Sequence, residues 1–367
     1  MSGNTVSRKL KVAAVQAGPV VRDAPDWFDM KSTLDKATSL ITEAGRNAAG
    51  LIVFPETWLP CYPYWGFDFA DRDTYRDLWA AYLWNSIEVP GRETEILGNA
   101  ARQANAYVVM GVNERDKKFP GRMYNSVIYI NPNGELMGTH RKICNTHGER
   151  LFHTPGDGGD NLRAVYDTEI GSLGGSICGE HSQLTLIHNW IMQGIQIHCS
   201  LWPGVVATKV ESDICTRAVC WAAHAFGIMS ATYFKETDLP KSFYKNSAFN
   251  IPGTICGGSG IVSPFGTYIA GPVYDEETIV YGDINLADVD KARFAVNLTG
   301  AYSRWDLLTL NVRQEAYDPL IPMASSGEGL PPLAPGRIAE LEARLDRLEQ
   351  QMNSFVPSKG KDTHEKT

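Results

Sequence analysis

The sequence is poor in the features that would tie it to a membrane, a metal or a nucleic acid. No apolar run reaches the roughly 18 residues that a spanning helix needs, because a charge, a Pro or a Gly interrupts every candidate. The opening MSGNTVSRKL passes straight into a β-like segment without the apolar core of a secretory leader, so the cytoplasm is the expected location. The seven cysteines, Cys61, Cys144, Cys178, Cys199, Cys215, Cys220 and Cys256, are odd in number and form no C-x-x-C pair. A disulfide framework, a metal centre or a redox pair is therefore not expected, and no cofactor is called for. Basic runs long enough to hold a phosphate backbone are missing too, and 34 basic against 42 acidic residues leave a formal charge of −8. Nucleic acid is not an expected partner, and neither is a membrane.

What is present suffices for a globular enzyme-sized domain: 367 residues, 43% of them hydrophobic, bury a substantial core. Lys11 to Ala17 reads as a strand, Leu34, Ala37, Leu40, Ile41 and Ala44 recur at helical spacing, and Leu51 to Phe54 is a second apolar run. This β-α-β order repeats with Leu97, Ala100, Ala101 and Ala104 on one helical face ahead of Tyr107 to Val112. Pro132-Asn133-Gly134 and Pro264-Phe265-Gly266 are hairpin signals, so some strands pair antiparallel. Further on, a strand ending at Cys178, a helix over about Leu184 to Gln193, a strand at Ile195 to Leu201 and a helix through Ala218 to Phe226 restore the alternation. The expected fold class is a layered α/β sandwich.

The globular domain is expected to span 1–318. Residues 319–336, rich in Pro, Gly and Ser, read as a linker or arm. Over 337–355, Ile338, Leu341, Leu345, Leu348 and Met352 fall at alternating steps of three and four, the seam of a short coiled-coil-like helix that docks on its own domain or on another subunit. Residues 356–367 carry no apolar periodicity and read as a disordered tail.

Three apolar runs stop at a polar residue that a plain core would not ask for: Glu56 in VFPETW, Lys142 in THRKIC and Cys178 in GGSICGEH. Loops leaving strand ends are where functional groups converge in layered α/β proteins. Taken singly, Cys178 reads as a small buried hydrophobe, Glu56 as a strand-end carboxylate and Lys142 as one of the basic cluster His140-Arg141-Lys142. Taken together they supply a nucleophile, a base to take its proton and activate water, and a cation for the negative charge that develops on a nitrile or amide. The glycines 174, 175 and 179 leave room for a sharp turn at Cys178, and a helix start after it would lower the thiol pKa.

In order and approximate spacing, FPETWLPCYPYW, HRKICNTHGER and GGSICGEH resemble the Glu-Lys-Cys motifs of the nitrilase superfamily. YPYW and the GDG of 156–158 are more like its nitrilase branch than its amidase branches. The resemblance covers roughly Lys9 to Val312 and implies a four-layer α-β-β-α sandwich whose subunits pair through helical layers into homodimers and longer spirals. It implies Cys178 as nucleophile, Glu56 as general base, Lys142 and the backbone N–H of Gly179 as stabilisers of the anionic intermediate, and Glu149 as an orienting second glutamate. The substrate it implies is a small organic nitrile, taken to the carboxylic acid and ammonia through a Cys178 thioimidate and acyl-thioester. The readings that compete are release of the amide, amidase or carbamoylase chemistry on the same scaffold, and a non-catalytic assembly or binding module. Tyr62, Trp65 and Trp202 are candidate substrate-lining aromatics. The sequence departs from the family's pattern in having Gly179 where an aromatic residue usually follows the nucleophile and His181 where Asn is usual. Gly179 leads us to expect a wider site or one refilled from elsewhere; His181, His188, His198 and His224 read as caps or surface groups.

Overall fold

Along the first strand, β1 (Lys9–Gln16), Val12 and Ala14 belong to one apolar cluster while Ala13 and Val15 belong to another. That is the signature of a strand covered on both faces. The computed structural model describes residues 9–67, 72–240, 243, 254–313, 343 and 345–347, and within them the same double burial recurs in β2 (Leu51–Val53), β3 (Tyr107–Arg115) and β4 (Met123–Ile130). With β5 (Leu136–Arg141) and β12 (Thr278–Asn285) these form a six-stranded sheet in the order β12-β1-β2-β3-β4-β5. A second sheet, ordered β11-β10-β9-β8-β7-β6, comprises β6 (Val165–Thr168), β7 (Gly171–Ile177), β8 (Ile197–Trp202), β9 (Phe226–Ala231), β10 (Gly257–Val262) and β11 (Tyr268–Tyr274).

The sheets pack face to face through Val12, Val53 and Val109 of the first and Ile177, Leu201 and Ile228 of the second. Helices α1 (Met30–Arg46) and α3 (Arg92–Ala104) cover the outside of the first sheet through Leu34, Ile41 and Leu97. Helices α4 (Leu184–Met192) and α5 (Lys209–Ala223) supply Ile187, Trp190 and Val219 to a separate apolar cluster. The architecture is the α-β-β-α sandwich that the sequence led us to expect. Two further helices are α2 (Arg72–Asn85) and the short α6 (Ala287–Arg293).

Sheet topology decides where the loops converge. Strands β1, β2 and β3 run parallel, and β4 and then β5 each reverse direction. So β5 runs the way β2 does, and the chain leaves both at the same edge of the sheet. The start of β4 lies at that edge as well. Both hairpins expected from the sequence are present, β4–β5 and β10–β11. The helix expected through Phe226 ends earlier: His224 caps α5 in the left-handed region at φ 49°, and Phe226 already opens β9.

The chain divides into units of Met1–Ala316 and Tyr317–Thr367. Of the second, residues 343 and 345–347 are described and are helical and exposed. The arm expected at 319–336 and the tail at 356–367 lie outside the described residues, as does most of the helix expected at 337–355. Among the described residues no helix is long and apolar enough to cross a membrane.

Candidate active site

Glu56 stands three residues past β2, where the backbone of Pro55, Glu56 and Thr57 lies directly on β3. A Cβ at Gly111 would meet the Pro55 carbonyl oxygen at 2.2 Å and the Glu56 Cα at 2.7 Å, so only glycine fits beneath this turn. Lys142 follows β5 immediately; its N–H donates to the Asn125 carbonyl on β4 at 2.8 Å, continuing the ladder by one residue. Glu149 comes from a short 3-10 helix, His147–Leu151, and its Oε1 accepts from both the N–H (2.6 Å) and the hydroxyl (2.5 Å) of Thr146. This capping arrangement fixes the carboxylate before it meets any catalytic group.

The three side chains are buried together. Lys142 Nζ donates to Glu56 Oε1 at 2.9 Å and to Glu149 Oε1 at 2.6 Å, and all three heads are inaccessible to solvent. Asn125 Nδ2 donates to Glu56 Oε1 (2.7 Å) and Glu149 Oε2 (3.0 Å), holding the carboxylates apart. One cation between two acids leaves a charge to be managed. Burial, assisted by the charge on Glu149, pushes Glu56 up to about 7 against the pull of Lys142. Burial also acts on Glu149, but Lys142 and His153 hold its carboxyl well below the usual range. For Lys142, burial works against the charge and the two carboxylates outweigh it, so the ammonium persists. Glu56 Oε2 has no hydrogen-bond partner, and it is the lone acceptor left open in the cluster's two carboxylates.

Cys178 directly follows β7 and opens a 3-10 turn, Cys178–Ser182, with its own φ at +47°. The sharp bend therefore falls on the cysteine itself rather than on a neighbouring glycine. A non-glycine residue there costs about 1–2 kcal/mol, and the surroundings hold it. On one side Glu180 accepts the N–H of Ile177 at 3.0 Å and that of Ile143 at 2.7 Å, tying the strand before Cys178 to the segment after Lys142. His140, wholly buried, reaches the same carboxylate at 3.0 Å. On the other side His181 Nδ1 lies 2.7 Å from the Cys178 carbonyl. The thiol departs from expectation: burial and the charge of Glu56 push it well above its ordinary value, outweighing Lys142 and the Gly179 N–H. A turn this short and buried does not ionise the thiol, so a base must.

The family model for carbon-nitrogen hydrolases matches residues 11–294. The chain belongs to this family. Among its relatives it is 33% identical to a nitrilase 2 from an unknown prokaryotic organism, over 80% of this chain and 91% of that one. It is also 33% identical to an aliphatic nitrilase of Rhodococcus rhodochrous, over 84% of each. These relatives place it in the nitrilase branch. A carbon-nitrogen hydrolase from Helicobacter pylori superposes with a TM-score of 0.62 at 18% identity, over 79% of this chain and 93% of that one, which shows the shared fold.

In this carbon-nitrogen hydrolase Cys178 opens into a cavity of about 440 Å³. Tyr62 and Trp202 line it, with Tyr64, Pro203 and Val205 beside them. Trp65 is elsewhere: it packs in an aromatic cluster with its ring 4.6 Å from Phe243 and 5.2 Å from Tyr82. The space expected at position 179 is refilled, because a Cβ on Gly179 would meet the Thr146 methyl at 2.7 Å. Thr146 and His147 form that part of the wall. The histidines, expected as caps or surface groups, are largely buried, although His224 does cap α5. His181, His198 and His224 are buried, and His188 is half-buried. Their signal in the sequence is slight; His198 alone betrays itself by its place inside the apolar strand IHCSLW. Asn125, which separates the two glutamates, was equally silent, since an Asn in MYNSVIYI carries no mark of its neighbours. Among the described residues no group of three or more His, Cys, Asp and Glu is placed to hold a metal ion.

Proposed function

We propose that this protein is a nitrilase that converts an organic nitrile to the carboxylic acid and ammonia at Cys178. The observation that carries the reading is the buried Glu56–Lys142–Glu149 cluster, with one open acceptor in Glu56 Oε2, whose charges act on a Cys178 thiol that burial keeps protonated. The names of the relatives point the same way.

Glu56 takes the thiol proton as the sulfur attacks the nitrile carbon, and the nitrogen that gains charge meets Lys142 and the Gly179 N–H and receives that proton from Glu56 to give a thioimidate, which returns Glu56 to its base form. Glu56 then activates one water; the tetrahedral adduct expels ammonia and leaves an acyl-thioester. A second water, activated by the same carboxylate, releases the acid and restores the thiol. Two waters enter and one ammonia leaves, so the atoms balance. Glu149 holds the Lys142 ammonium in line throughout. The aromatic walls Tyr62, Tyr64 and Trp202 favour aromatic or arylaliphatic nitriles over short alkyl ones.

The assembly follows from exposed apolar groups on the second helical layer. Leu184 of α4 and Val210, Ile214 and Trp221 of α5 are each more than half exposed, and a second copy covering them forms the homodimer from which longer assemblies grow. The test of function is release of acid, amide and ammonia from a panel of aliphatic, aromatic and arylaliphatic nitriles. Acid with ammonia from the native protein and none from Cys178→Ala is the expected result. Amide as the main product, or turnover of amides alone, overturns it.

A further inference from the structure

His181 lies two residues beyond Gly179 and plays no part in the steps above, yet it contacts the peptide that carries the stabilising N–H. A carbonyl oxygen only accepts, so the 2.7 Å contact between His181 Nδ1 and the Cys178 carbonyl requires the proton on Nδ1. Burial pushes His181 down to about 4, which keeps the ring neutral and makes Nε2 an acceptor. From β8, Ser200 Oγ lies 2.7 Å from that nitrogen and can donate to its lone pair, and His198 Nε2 lies 3.1 Å from it. Ser200 in turn accepts from Trp202 Nε1 at 2.8 Å, and the Trp202 ring stacks on His181 with centroids 4.9 Å apart and planes 26° from parallel. The imidazole is fixed by neighbours on both nitrogens and on one face.

The carbonyl of Cys178 and the N–H of Gly179 belong to one planar trans peptide and point in opposite directions. Whatever grips the carbonyl therefore aims the N–H, which approaches the Cys178 sulfur from the other side. A hydrogen bond accepted at the carbonyl also polarises the peptide and strengthens its N–H as a donor. The position is one that needs holding, since Cys178 sits in the left-handed region.

We propose that His181 is a positioning residue that aims the Gly179 N–H at the anion formed on Cys178 addition, with Ser200 and His198 fixing its tautomer and Trp202 linking it to the substrate cavity. The inference rests on the nitrilase reading for the role of that N–H. His181 touches neither substrate nor thiol, so its effect falls on the charged intermediate and not on binding.

The test compares His181→Leu, which cannot donate to the carbonyl, with His181→Asn, whose amide can. With an aromatic nitrile, kcat of the Leu variant is expected to fall about 10- to 100-fold, approaching the loss of an oxyanion donor, while KM stays within about 3-fold. The Asn variant is expected to recover most of kcat. Alkylation of Cys178 by iodoacetamide needs no oxyanion donor and should stay near the native rate in both, which a collapsed turn would not allow. Should the Leu variant fail to fold, Ser200→Ala carries the test, with an expected kcat loss of about 3- to 10-fold at unchanged KM. Native kcat in the Leu variant, or in Ser200→Ala where that substitutes for it, overturns the proposal, and so does an Asn variant as slow as Leu. Failure of the native protein on every nitrile is a different result: it overturns the nitrilase reading and moves the same comparison to an amide, whose tetrahedral oxyanion would meet the same N–H.

Discussion

Glu56 has its two carboxylate oxygens in unlike states: Oε1 accepts from Lys142 and Asn125, while Oε2 is buried without a partner. This division suits a group that must stay put and still take a proton. It also sets a pH dependence. With its pKa pushed up to about 7, first by burial and then by the neighbouring Glu149, Glu56 is an available base only once the pH exceeds that value. We expect kcat/KM to rise with pH through an acid limb centred near 7, and Glu56→Gln to abolish turnover at every pH; a limb near the ordinary carboxylate range of about 4 would show that another group controls it. The raised thiol agrees with this order of events, because a Cys178 that were already ionised would have no use for the base. At this scale the sequence was legible for Cys178, Glu56, Lys142 and Glu149, each inside a short motif at the end of an apolar run or just past it. It was misleading for His181, whose place at a turn start looks like a surface cap until β8 and Trp202 close over it.

At the scale of elements, the proposed catalytic groups depend on close approaches between backbones. The Glu56 turn rests on Gly111 of β3 with no room for a methyl group. Gly111→Ala is expected to cost about 1–3 kcal/mol in stability, as overpacking does, and to reduce kcat by about 100-fold because a shift of even 1 Å in the base spoils the reaction geometry. Urea denaturation and steady-state rates measure the two effects separately, and a variant that loses stability but keeps kcat would show that the turn accommodates the methyl without moving Glu56. The strands and hairpins around this point were readable from alternation and from Pro-x-Gly turns. Helix α2 was not, since its apolar residues cluster as Trp79 to Trp84 instead of spacing out around a face, and of its fourteen residues only Leu78 and Tyr82 are buried. The end of α5 was hidden likewise: nothing in AAHAFG announces that His224 takes φ 49° and turns the helix into a strand.

On the scale of the whole molecule, the exposed apolar face of α4 and α5 makes a prediction about size. Trp221 and Ile214, 53% and 57% exposed, would be covered in the proposed dimer, so Ile214→Glu with Trp221→Glu is expected to reduce the particle to a monomer in sedimentation. Native-sized particles from the double variant would place the subunit contact elsewhere. A layered α/β sandwich was foreseeable from the alternation of apolar strands and helices, whereas the four-layer count came from the family resemblance. Which helices cover which sheet was not foreseeable.

The sequence by itself marked the candidate reacting groups and the layered frame that carries them, because both are written locally, in a few adjacent residues or in the period of the apolar ones. The tertiary structure alone decided the chemical state of those groups. Thr146 filling the space at Gly179, Asn125 parting the two glutamates, burial keeping the thiol protonated and Ser200 and Trp202 closing over His181 all arise from residues distant in the chain. Charge and desolvation are sums over neighbours in space, and a linear order does not contain them until the sheets have closed.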